Sequence, residues 1–171
     1  MPMPTARLAR HRSPLRTRLT PIASVMAGSL LPTILPVIAD APVLPPLGLL
    51  MLLGWRLMRP EVWPLWMALP LGLFDDLATG HPVGTAMALW TFGLIAIEAA
   101  QLRLLWRDYV QDWLIAAIVI IAVTMASWAF MAMARTGAGP AIGLAFQIVT
   151  SILAFPIIAR LCAALDRWRL P

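Results

Sequence analysis

Two adjacent carboxylates, Asp75 and Asp76, sit in a stretch otherwise fit for lipid, Leu71-Gly-Leu-Phe-Asp-Asp-Leu-Ala-Thr-Gly-His-Pro-Val-Gly84. A charged group in a hydrocarbon segment is costly, so such residues are rare and usually face protein or water. Metal-assisted transfer to a lipid would need further spaced acids to fix a metal and a diphosphate, and the chain does not supply them. A proton or ion relay through Glu98 would need more interior acids or histidines than are present. There is no lysine, hence neither a phosphate-binding Walker loop nor a Schiff base. His11 and His81 are not spaced as metal ligands, no Ser or Cys stands in a nucleophile motif, and the single Cys162 gives neither a disulfide framework nor a metal cluster. An enzyme is therefore not expected, and no catalytic, cofactor or metal residue is assigned.

Hydrogen bonding to backbone, to a neighbouring helix or to a ligand remains. With Val62 at one membrane face, Asp75 and Asp76 fall ~20 Å along an apolar helix, near its C-terminal end. Negative charge there opposes the helix dipole by roughly 0.3–1 kcal/mol. Either one acid is hydrated at the interface and accepts N–H groups of the Thr79–Pro82 turn, or one faces a groove and bonds a partner helix or ligand. Helical neighbours point ~100° apart, so the two acids do not share one role. Arg135 and His81 are the basic residues expected at the same end, and so the candidate ion partners. Gly80 suits a left-handed helix end and Pro82 the first turn of the next helix. Gly72 and Gly84 complete a spaced set around Asp76, and Gly139 with Gly143 forms a second small-residue pair suited to close helix approach. Glu98, with Gln101 one turn on, is expected to pair with Arg56 or Arg103.

The elements that position these residues are six apolar runs, about Thr20–Ala39, Pro42–Met58, Val62–Ala78, Val83–Leu102, Tyr109–Ala134 and Pro140–Leu161. Each approaches the ~20 residues needed to cross a bilayer as a helix, and none alternates as barrel strands do. With 61% hydrophobic and 12% charged residues in 171, the chain has no room for a soluble domain. The expected fold is all-α: a basic cytoplasmic tail over residues 1–19, then a six-helix transmembrane domain over residues 20–165. Ala39-Asp40-Ala41 mimics a signal cleavage site, but Pro42 follows it and five more apolar runs remain. With the N-terminus inside, the inner flanks hold Arg7, Arg10, Arg12, Arg16, Arg18, Arg56, Arg59, Arg103, Arg107, Arg160, Arg167 and Arg169, and the outer flanks only Arg135. This asymmetry places both termini in the cytoplasm. It also accounts for the net charge of +5 without nucleic acid. Trp55, Trp63, Trp106, Trp113 and Trp168 fall near the inner boundaries, where interfacial anchors are expected.

The set Gly72-x-x-x-Asp76-x-x-x-Gly80-x-x-x-Gly84 across a helix-turn-helix resembles MreD, the rod shape-determining membrane protein family of bacteria. So do the length, the basic tail, the six spans and the Trp55-Arg56…Arg59-Pro60 turn ahead of the motif. Asp76 matches the family's acid and Asp75 is additional. The resemblance implies a non-enzymatic component of the cell-elongation machinery in the inner (cytoplasmic) membrane. It implies association with MreC, through it with MreB, and action beside RodA and a class B penicillin-binding transpeptidase in peptidoglycan synthesis. It further implies a fold similar to the substrate-binding S-components of energy-coupling-factor vitamin transporters. Membrane lipids, and a second copy of the chain, are further partners to consider. The alternative from a different class is such a vitamin-binding transporter subunit, which would need a polar pocket under the outer loops.

Overall fold

The computed structural model describes residues 14–34, 44–103, 108–134 and 141–169. Among the described residues six α-helices follow one another: α1 (Pro14–Ile34), α2 (Leu47–Met58), α3 (Ala68–Thr79), α4 (Thr85–Arg103), α5 (Tyr109–Met133) and α6 (Ala141–Arg169). Two 3₁₀ turns, Pro60–Val62 and Leu65–Met67, lie between α2 and α3. Tail residues 1–13, Trp106, Arg107, Arg135 and Gly139 lie outside the described residues.

The organising element is α2. Its sequence is apolar on every side, and every residue from Gly48 to Leu57 is buried. A helix without a polar face is stable only when surrounded. The other helices surround it: α1 packs on α3, α3 on α4, α4 on α5 and α5 on α6, with α2 inside, lying chiefly against α1 and α6. The ring is thinnest where α6 meets α1. Leu49, Leu50, Leu52, Leu53, Trp55, Leu94, Ile97 and Ile120 form the centre of the core.

Among the described residues three helices, α4, α5 and α6, are long and apolar enough to cross a membrane, and they mark the chain as a membrane protein. Ile142, Phe146, Val149, Leu153 and Ile157 project from one side of α6 without protein cover. Such a stripe would be a liability in water and is the normal face toward lipid. The helices follow the apolar runs with differences at their ends. α1 starts at Pro14, inside the stretch expected as tail, with proline in the first position where its missing N–H costs nothing. α6 continues about two turns past Leu161, carrying Asp166 beyond the apolar run. The third run is α-helical only from Ala68, because Pro60 and Pro64 break its first half into 3₁₀ turns. Two of the expected interfacial tryptophans are core residues instead: Trp55 and Trp63 are 0% and 1% exposed. Trp55 faces inward because its Nε1–H donates to Ser24 Oγ on α1 at 2.8 Å.

Candidate functional site

The glycine and aspartate set forms one joint between α3 and α4. α3 ends at Gly80, which is left-handed (φ 72°, ψ 19°). The chain reverses through His81 and Pro82. Gly84, at φ 101°, turns it into α4. Pro82 thus stands ahead of α4 rather than in its first turn, and its carbonyl accepts both the N–H (3.1 Å) and the hydroxyl (2.8 Å) of Thr85.

A helix begins with four N–H groups that have no partner within it. At α4, Thr85 N–H is the one taken by Pro82. The other three go to Asp76. Its Oδ2 accepts from Gly84 at 2.8 Å and from Met87 at 3.4 Å, and its Oδ1 accepts from Ala86 at 2.8 Å. The usual capping side chain would stand at position 84, where glycine has none. Asp76, reaching across from α3, does that work. The positive end of the α4 dipole faces the carboxylate, which offsets the unfavourable position of the acid near the end of its own helix. Asp76 is 1% exposed, so its carboxylate is enclosed by the chain. Gly72 makes the approach possible: a Cβ there would stand 2.6 Å from Met87 Cα and 2.8 Å from the Ala86 carbonyl carbon.

Asp75 points elsewhere, as the angular separation of helical neighbours requires. It is half-buried and lines a cavity of about 160 Å³ together with His81, Trp90, Ser127, Trp128 and Gln147. The walls come from the start of α2, the end of α3, the starts of α4 and α6, and the last part of α5. Ala86, which donates to Asp76, is also a wall residue, so the capped joint is one side of the cavity. The Ser29 hydroxyl faces Asp75 from α1 and is buried. Gly48 leaves the room in which Ser29 Oγ, Asp75 Oδ1 and the Trp90 ring edge meet. His81 thus shares a cavity with Asp75, while Arg135 is outside the described residues. Several hydroxyls are already engaged: Thr124 donates to the Ile120 carbonyl and Ser151 to that of Gln147, each one turn back. Gln147 Nε2 donates to the Leu44 carbonyl at 3.1 Å.

The opposite end is held by arginines. Arg56 Nη2 meets Glu98 Oε2 at 3.1 Å, linking α2 to α4; Arg103 is exposed at the end of α4. Arg56 Nη1 also donates to the carbonyls of Pro60 (3.0 Å) and Trp63 (2.7 Å), in the irregular segment before α3. Arg59 meets Asp166 at 3.1 Å, linking α2 to α6. Sequence reasoning missed the Arg59–Asp166 pair because Asp166 lies beyond the apolar run; an acid among the last arginines was the available signal. Gly143 is buried in the first turn of α6. Among the described residues, no three His, Cys, Asp or Glu side chains gather in a way that could hold a metal ion. No protein-family model, curated protein or solved structure matches the chain.

Proposed function

We propose that the chain is a non-enzymatic, multi-pass component of the bacterial cell-elongation complex in the inner membrane, scaffolding MreC and peptidoglycan synthesis. The observation that carries this reading is the joint. Gly72, Asp76, Gly80 and Gly84 each perform a separate geometric task in it, so the spacing that resembles MreD is a physical unit and not a chance of composition. Its product is a rigid α3–α4 pair. On the outer side of that pair, Leu69 and Leu77 on α3 and Val83 in the turn are exposed. In this reading the stripe receives a transmembrane helix of MreC, and MreB, RodA and a class B transpeptidase join through the complex. Asp76 then acts by holding the joint rigid, not by touching the partner.

Six spans with both termini in the cytoplasm complete the proposal, on the general plan of the S-component fold. Two pairs support it. Arg56–Glu98 and Arg59–Asp166 bring the C-terminal ends of α2, α4 and α6 together, and that end is rich in arginine, as cytoplasmic faces are. The test is depletion with co-purification. Loss of the protein is expected to give rounded, swelling cells. A Leu69→Ala/Leu77→Ala variant is expected to remain in the membrane yet retain less MreC. A vitamin-uptake defect in cells of normal shape would overturn this reading in favour of a transporter substrate-binding subunit, a class for which the cavity beside Asp75 is the favouring observation.

A further inference from the structure

The cavity at the joint contains a carboxylate that the capping of α4 does not use. Asp76 is fully engaged by backbone N–H groups. Asp75 faces the Ser29 hydroxyl and shares the cavity with His81, and the arginines paired at the other end of the bundle, Arg56 with Glu98 and Arg59 with Asp166, are engaged there. Ser29, whose hydroxyl is turned to Asp75, is 2% exposed. A carboxylate in a mostly apolar setting is costly unless an opposite charge joins it. Trp90 and Trp128 form part of the same wall, and indole is the side chain that attracts a cation most strongly. Gln147 and Ser127 add polar oxygens. A volume of about 160 Å³ resembles the ~150 Å³ that accommodates benzene in an apolar cavity.

We infer that this cavity is a binding site for a small organic ammonium group, its charge on Asp75 and its apolar stem against Trp90 and Trp128. The group can belong to a free amine or to the headgroup of a lipid. The site is independent of the scaffold reading, and its failure would leave that reading intact.

The experiment uses the full chain in lipid nanodiscs, with choline as probe and 3,3-dimethyl-1-butanol as its uncharged isostere. Millimolar choline is expected to raise the melting temperature, by mass action on the folded state, and the isostere is not. Asp75→Asn is expected to weaken choline binding at least tenfold. Ser127→Leu, which fills the cavity and leaves the carboxylate in place, is expected to weaken it as well, and it provides the test if the first variant does not fold. Discs with phosphatidylethanolamine separate the sources: competition with choline identifies a headgroup, and its absence a free amine. Equal stabilisation by choline and the isostere would overturn the inference. So would unchanged choline binding in whichever of the two variants folds.

Discussion

The glycines at the α3–α4 joint look alike in the sequence but act by different physics. At Gly80 nothing lies within 4 Å of an added Cβ, and the constraint is the positive φ alone. At Gly72 the constraint is backbone, Met87 and Ala86, which cannot rotate aside as a side chain would. Gly80→Ala is expected to cost about 1–2 kcal/mol, the usual penalty for left-handed backbone. Gly80→Asn is expected to recover much of it, since Asn tolerates that conformation. Gly72→Ala is expected to cost about 1–3 kcal/mol through overpacking, and Gly72→Asn more than that. Unfolding in mixed micelles reads the contrast, and equal effects of Asn at the two sites would contradict it. Asp76→Ala leaves buried N–H groups of α4 unpaired, at about 1–3 kcal/mol. Gly80 was legible in the sequence because a left-handed helix end is a local matter. The partners of Asp76 were not, because they lie on the next helix. The dipole of α3 alone made the acid look misplaced, while α4 supplies the compensating end. The missing capping side chain at Gly84 was the available clue.

At the scale of elements, the short helices need explaining. α2 and α3 have 12 residues each, or about 18 Å at 1.5 Å per residue, against ~30 Å of hydrocarbon. Irregular backbone enclosed by protein survives only where its polar groups find partners. Arg56 is that partner for the segment after α2, bonding two carbonyls as well as Glu98. Its side chain is 7% exposed, whereas that of Glu98 is 45% exposed. The two partners are therefore unequal. Arg56→Ala leaves buried acceptors behind and is expected to destabilise by about 3 kcal/mol, toward the low end for breaking a buried pair. Glu98→Gln is expected to cost less than about 1 kcal/mol, as for exposed pairs. Matching losses from the two variants, measured by unfolding in micelles, would mean that the ion pair and not the carbonyls is what Arg56 supplies. The apolar runs revealed where the helices lie, since hydropathy is summed over many residues. The shortening of α3 was visible in Pro60 and Pro64, but how its carbonyls are satisfied was not, because that depends on the side chain of a different helix.

For the molecule as a whole, the open quantity is its orientation, and one core residue makes it measurable. Cys162 is the sole cysteine, is 0% exposed, and lies 3.5 Å from Met51 Sδ between α6 and α2. A membrane-impermeant maleimide should leave it untouched, so cysteines introduced elsewhere report without background. Val83, in the turn of the joint, is 71% exposed. Arg167, near the end of α6, is also exposed. If the arginine-rich end faces the cytoplasm, Val83→Cys is expected to label in spheroplasts and Arg167→Cys only in inverted vesicles. The two sites belong to opposite ends of the bundle, since the Arg59–Asp166 pair ties the end of α6 to the end of α2, while the joint lies by the start of α2, across the cavity from Pro46. Labelling of both from one side would break the alternation itself. Exchange of the two patterns would keep the bundle and invert it, placing the arginines outside against their expected bias.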